Sequence, residues 1–313
     1  MLAVALSAVA GGFAYFLPAA MTAYQATGQV VKIASPSPAQ LLFTPTPTPA
    51  SNPAATSDFT VLLLGSDDDS KFTSDHVLTQ SMILVRIRPA AKTVTMLSIP
   101  RDLYVPLSTG GTGKIDGAYS YGGAGAAIAT VEQDFGVHVD DYIWVGLLGL
   151  IKVIDAIGGI DVVTSNPVLD DFYPQDVFSN SPYGYERIAV LPGPQHLDGV
   201  HAMQYVRSRH GDLESDFGRS QRQQQVLLAI RQKAKQLAPE DIPAIAAAIG
   251  GELKTSISVS RVTEMLPLAS SFDNPDAIQQ IVLLPPYTHS GGPGDSVVAN
   301  WSLILPLVHR YFP

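Results

Sequence analysis

Tyr142-Ile-Trp-Val-Gly-Leu-Leu-Gly-Leu-Ile-Lys-Val-Ile-Asp-Ala-Ile-Gly-Gly-Ile-Asp-Val-Val163 decides the fold class. Tyr142 to Val145 is a short β-prone run, and Leu147 to Ile157 is an apolar helical stretch closed by Gly158-Gly159. Ile160 to Val163 is β-prone again. Strand, helix and strand in one continuous segment specify a layered α/β domain. Outward from it, Phe59-Thr-Val-Leu-Leu-Leu64 ends at Gly65 and reads as a buried strand. Met82 to Arg88 and Thr93 to Ile99, separated by Pro89-Ala-Ala-Lys92, read as a hairpin. Gly122 to Phe135 has helical composition, and Asp216 to Leu237 is the clearest helix of the chain. Val259 to Ser270, Ile278 to Leu284 and Trp301 to Tyr311 read as helix, strand and helix. There is no internal repeat.

The chain has 313 residues, enough for one large domain with appendages. It is 46% hydrophobic and only 15% charged, which excludes a wholly disordered chain. A net charge of −9 argues against nucleic acid as a partner. There is no cysteine, so disulfides, zinc–thiolate sites, iron–sulfur clusters and cysteine nucleophiles are excluded. None of the seven histidines stands in an H-E-x-x-H pattern.

Residues 1–24 read as a transmembrane anchor. Leu2 to Ala23 carry no charge, and roughly 20 apolar residues match the hydrocarbon thickness of a bilayer. Without a basic leader, an uncleaved anchor is favoured over a cleaved signal peptide. Residues 25–57 form a spacer in which Ala34 to Ser57 hold six prolines and no charge, including Thr44-Pro-Thr-Pro-Thr-Pro49. Such composition favours extended polyproline II. Anchor, spacer and a body over 58–313 place a globular domain outside the cytoplasm on a single-pass membrane protein.

Chemistry concentrates in Gln204-Tyr-Val-Arg-Ser-Arg-His210 and Asp216-Phe-Gly-Arg-Ser-Gln-Arg-Gln-Gln224. Arg207 and Arg209 are two apart and share one side if the backbone is extended there. In the following helix, 100° per residue puts Arg219, Gln223, Val226, Ile230 and Leu237 on one stripe, with Arg222 on its flank. An arginine on a core-facing stripe needs an anion or a carboxylate to meet it. Asp212, Glu214 and Asp216 could pair these arginines as ordinary salt bridges. The helix start near Asp216 adds positive potential, which favours an anion such as phosphate, gripped by guanidinium through paired hydrogen bonds. Gly65-Ser66-Asp67-Asp68-Asp69 follows the first strand, where carboxylates suit a hard divalent cation or, equally, a solvated turn. Ser98-Ile-Pro-Arg101-Asp102 closes the hairpin, and Lys114-Ile-Asp-Gly-Ala-Tyr119 follows a glycine-rich loop.

Taken together these segments resemble the LytR–CpsA–Psr family of membrane-anchored cell-wall glycopolymer ligases. The resemblance rests on Leu-Leu-Leu-Gly65-Ser66-Asp67, Leu97-Ser-Ile-Pro-Arg101-Asp102, Lys114-Ile115 with Ala118-Tyr119, and Asp155-Ala-Ile-Gly-Gly-Ile-Asp161. It continues through Gln195-His-Leu-Asp-Gly199, Tyr205-Val-Arg207-Ser-Arg209-His210, and Asp216-Phe-Gly-Arg219-x-x-Arg222-Gln223-Gln224, covering a core of 58–237.

The resemblance implies a three-layer α/β/α sandwich around a mixed sheet, with a hydrophobic tunnel for a polyprenyl chain. It implies a phosphotransferase that moves a glycan-1-phosphate from a polyprenyl pyrophosphate carrier to a peptidoglycan hydroxyl, assisted by Mg²⁺. Arg101, Arg207, Arg209, Arg219 and Gln223 would hold the pyrophosphate, with Arg222 beside them, and Asp67 would sit at the metal. Asp67, Arg101, Arg207 and Arg219 would be the catalytic set, with Asp67 or a metal-bound hydroxyl as base. Gln80 falls where the family usually carries a second acidic residue; its carbonyl is a weak magnesium ligand and no base. Two alternatives follow: a non-catalytic protein that binds the same lipid-linked glycan, or a pyrophosphatase acting on it.

Overall fold

The structure is a computed structural model and describes residues 57–66, 77–164, 166–175, 183–208, 215–234, 236, 245, 249, 252–257 and 277–313. The anchor and most of the spacer, the Asp67–Asp69 turn, Arg209 and the helix expected over Val259 to Ser270 lie outside these residues. Among the described residues no helix is long and apolar enough to cross a membrane.

Among the described residues six strands form the central sheet. They are β1 (Phe59–Ser66), β2 (Thr79–Arg88), β3 (Thr93–Ile99), β6 (Asp141–Val145), β11 (Leu253–Thr255) and β12 (Ile278–Val282), in the order β11-β6-β1-β2-β3-β12. The predicted hairpin is present as the antiparallel β2–β3 pair. β1 runs parallel to β6 and β12 parallel to β3, so the sheet is mixed. Four two-stranded ribbons surround it: β4 (Tyr104–Pro106) with β5 (Thr112–Lys114), β7 (Ile160–Thr164) with β10 (Gly193–Leu197), β8 (Val168–Pro174) with β9 (Tyr185–Val190), and β13 (Thr288–Gly292) with β14 (Ser296–Ala299).

Helices cover both faces of the central sheet. β1 reads as an unbroken apolar run because each of its faces is buried. Leu62, Leu64, Met82, Leu84, Leu97 and Ile99 pack against α1 (Gly117–Phe135) and α5 (Trp301–Tyr311). The alternate residues Val61, Leu63, Ile83 and Val85 pack towards Leu227 and Leu228 of α4 (Ser215–Ala234). The same side carries α2 (Leu147–Ala156) and α3 (Gly199–Arg207), whose Ile154, Ala202 and Tyr205 join Val226 and Ile230 of α4 in one cluster. α2 ends at Gly158 and Gly159, both with positive φ (76° and 81°), so the predicted glycine pair does stop the helix. α1 begins five residues before the predicted Gly122 start, and Gly122 and Gly123 have non-helical dihedrals that kink it.

Candidate functional site

The carboxyl ends of β1 and β6, the start of β2, and helices α2, α3 and α4 enclose a cavity of about 210 Å³. Its walls are apolar: Leu63, Ile143, Leu150, Val226, Leu227 and Ile230 all line it. Its polar lining includes Gln80, Arg207, Arg219 and Gln223. Three residues named from the sequence for a pyrophosphate, Arg207, Arg219 and Gln223, therefore converge on one greasy slot.

Each arrives by a different local device. Arg219 and Gln223 are one turn apart on α4 and continue the stripe through Val226 and Ile230, as helical periodicity dictates. Arg219 is buried at 5% exposure. The condition for Arg207 and Arg209 to share a side, extended backbone, is not met at Arg207; it is the last residue of α3, and the extended conformation begins at Ser208. The nine-residue helix went unread because His201 and Gln204 interrupt its apolar face, although Asp198 caps it by accepting from His201 N at 2.8 Å. The Arg207 guanidinium lies 5.7 Å from the centre of the Tyr173 ring, a cation–π distance.

Gln80 owes its place to a bulge. β1 and β2 pair Gly65 with Ser81 but Ser66 with Thr79, so Gln80 is the extra residue. Simple alternation would put Gln80 on the side of Met82, facing α1; the bulge turns it into the cavity beside Ser81.

Arg101 does not line the cavity with the other arginines. It follows β3, and its Nη1 donates to Gln80 Oε1. Its Nε lies 3.2 Å from Asp102 Oδ2, and its Nη1 lies 3.9 Å from Asp116 Oδ2. Lys114 Nζ closes the group at 2.9 Å from Asp102 Oδ1. Burial opposes ionisation of Asp102, yet the Lys114 hydrogen bond and the charges of Arg101, Lys114 and Arg219 together hold its carboxyl below the usual range. Asp116 goes the other way: burial, with the Asp102 charge, raises it to about 6 against the pull of Arg101 and Lys114. The motifs Pro100-Arg-Asp102 and Lys114-Ile-Asp116, weak singly in sequence, are one electrostatic unit behind Gln80.

Arg222 departs from the expectation that it helps hold the pyrophosphate. Three residues beyond Arg219, it turns off the cavity face and donates from Nη2 to the Ser208 carbonyl at 2.7 Å. Its guanidinium lies 5.6 Å from the Tyr205 ring centre, and it lines a separate polar cleft of about 510 Å³ with Gln221, Gln224 and Gln225. It satisfies a carbonyl at the end of α3 and so fixes the residue next to Arg207.

Asp67 and Arg209 lie outside the described residues. Among the described residues no three acidic or histidine side chains cluster closely enough to hold a metal ion. The family resemblance puts Asp67 at an Mg²⁺, with Asp68, Asp69 or Asp75 as further candidates, all outside the described residues; the Gln80 carbonyl, the doubtful donor, accepts from a guanidinium. That surrounding does not fit a divalent cation at Gln80.

A profile of the LytR_cpsA_psr family matches residues 21–298. The chain belongs to this family. It is 38% identical over 175 residues to TagV of Bacillus subtilis, named polyisoprenyl-teichoic acid–peptidoglycan teichoic acid transferase; the match covers 55% of this chain and 42% of TagV. The chain spans about half the length of the curated relatives it matches, at 51% and 42%. The crystal structure of B. subtilis TagV superposes with a TM-score of 0.65 at 29% identity, over 82% of this chain and 95% of that one. TagT bound to LIIa-WTA superposes with a TM-score of 0.63 at 26% identity, over 90% and 94%. The LytR_cpsA_psr fold, a mixed α/β domain around a central mixed sheet, is thus shared across solved members.

Proposed function

We propose that the protein is a phosphotransferase that moves a glycan-1-phosphate from a polyprenyl pyrophosphate carrier to a hydroxyl of peptidoglycan. The carrying observation is the apolar cavity whose polar lining includes Arg207, Arg219 and Gln223. The name of TagV and the LIIa-WTA bound to TagT support the same substrate class. In this reading the prenyl chain enters the slot and the diphosphate meets the arginines. The acceptor oxygen forms a bond to the sugar-bearing phosphorus while that phosphorus loses its bond to the bridging oxygen. Prenyl phosphate leaves, and the acceptor proton passes to a base, for which Asp67 is the candidate. Arg207 and Arg219 stabilise charge building on the equatorial and leaving oxygens, in a dry wall where a fixed cation acts strongly. The uncharged Leu2 to Ala23 segment anchors the chain in the membrane, and residues 25–57 hold the domain outside the cytoplasm, near the lipid it consumes.

The test is transfer by the full chain from a polyprenyl-diphosphate disaccharide to peptidoglycan oligomers, with free phosphate release followed in parallel. Arg207→Ala and Arg219→Ala should each lower transfer on the order of 100-fold or more. Undiminished transfer by both variants refutes the anion pocket, and phosphate release without glycan transfer refutes the acceptor.

A further inference from the structure

Gln80 is the polar residue of the cavity with a forced orientation. A guanidinium cannot accept a hydrogen bond, so the Arg101 contact fixes the amide with its carbonyl towards Arg101. The amide plane then directs Nε2 along the opposite branch. Arg101 is held by Asp102 and lies near Asp116, and Asp102 is braced by Lys114, so the guanidinium cannot readily swing away to present the carbonyl elsewhere. The bulge at Gln80 brings this side chain to the cavity that Arg207, Arg219 and Gln223 also line.

We infer that Gln80 is a hydrogen-bond donor to the diphosphate, with Arg101 as its positioning residue, and that no divalent cation is held at this position. The inference rests on the pyrophosphate reading of the cavity and assigns its head-group chemistry. A carboxylate at position 80 beside Arg101 would form an ion pair and repel the diphosphate unless a cation stood between them. The amide removes that charge and supplies an N–H. The guanidinium that holds its oxygen also opposes a cation there, since like charges at such range repel strongly in a low-dielectric wall. The diphosphate is then held by fixed protein groups where a carboxylate would call for a metal bridge.

The experiment is calorimetric titration of the detergent-solubilised full chain with geranylgeranyl diphosphate, in EDTA and in Mg²⁺. The wild-type affinity should agree between the two conditions within about threefold. Gln80→Leu should bind about tenfold more weakly in both, the loss expected for one hydrogen bond to a charged group. Gln80→Asp should lose about tenfold or more in EDTA and recover in Mg²⁺. A tenfold or greater drop of wild-type affinity in EDTA overturns the inference, as does wild-type binding by Gln80→Leu. So does a Gln80→Asp affinity indifferent to Mg²⁺. The wild-type EDTA comparison stands even if a variant fails to fold. Arg219→Ala separates the two levels: if it binds as wild type, the pyrophosphate pocket itself is wrong. If it loses binding while the Gln80 results go against expectation, only the role of Gln80 falls.

Discussion

Asp116→Asn gives a stability change whose size and sign follow from burial. The Asp116 carboxyl is 6% exposed, 3.9 Å from the Arg101 guanidinium, and pushed from 3.8 to about 6. Its backbone carbonyl accepts from both Thr79 N and Thr79 Oγ1, which keeps the side chain beside Asp102 and away from water. Each tenfold change in proton affinity is worth about 1.4 kcal/mol, so moving from 3.8 to about 6 corresponds to about 3 kcal/mol. The folded state binds this proton more tightly than the unfolded chain. The stabilisation is therefore complete below pH 3.8 and lost as pH rises through 6. Asparagine stays neutral throughout, so the variant should gain on the wild type as pH rises. About 2 kcal/mol of that gain should fall between pH 4.5 and 7.5. Asp134, also raised to about 6 by burial, titrates alike in both proteins and cancels in the difference. Urea unfolding followed by the fluorescence of Trp144 and Trp301 across this range measures it. Parallel pH profiles for the two proteins would refute the reasoning.

Two further substitutions test the slot and the packing around it. Leu150→Trp, at an apolar wall position of the cavity, should weaken binding of geranylgeranyl diphosphate by about tenfold or more, while inorganic pyrophosphate binds as before; competitive titration distinguishes them. Gly199→Ala would bring a Cβ to 2.3 Å from the Ile151 carbonyl oxygen, forcing α2 and α3 apart. It should cost about 1–3 kcal/mol or more, read as a lowered thermal unfolding midpoint.

Elements set by a single local period were legible in the sequence. The Met82 to Arg88 and Thr93 to Ile99 hairpin, the strand–helix–strand of Tyr142 to Val163, and the stripe of Arg219, Gln223, Val226 and Ile230 all need only local pattern. Where the reading failed, the deciding partner was distant in sequence. Whether Arg222 faces the anion or the protein depends on the Ser208 carbonyl, fourteen residues earlier. Gln80 reaches the cavity only because β1 skips it in pairing, and a bulge is a property of two strands. Arg101 stands behind Gln80 for the same reason. Asp155 and Gly199, noticed in separate motifs, explain each other: Gly199 N donates to Asp155 Oδ1 at 2.7 Å where α2 and α3 cross closely. The ribbon of β8 and β9 escaped notice because Leu169, Phe172 and Tyr185 face outwards on it, against the rule that apolar residues mark the core.

Neither half of the cavity is selective alone. An apolar slot accepts many lipids, and two guanidinium groups accept many anions. Selectivity comes from their order along α4. Arg219 and Gln223 occupy the first part of the helix, and Val226, Leu227 and Ile230 continue the same wall. At 1.5 Å per residue, Arg219 to Ile230 spans about 16 Å, with the change from polar to apolar near its middle. A soluble sugar nucleotide could satisfy the arginines but would leave the apolar stretch against water or empty, forfeiting the burial of hydrocarbon. A neutral lipid would fill the slot but forgo the charge-assisted hydrogen bonds that an anion would make with the guanidinium groups at its polar end. A molecule with an anionic head joined directly to a long hydrocarbon satisfies both parts of one helix face, and the proposed polyprenyl diphosphate has that construction.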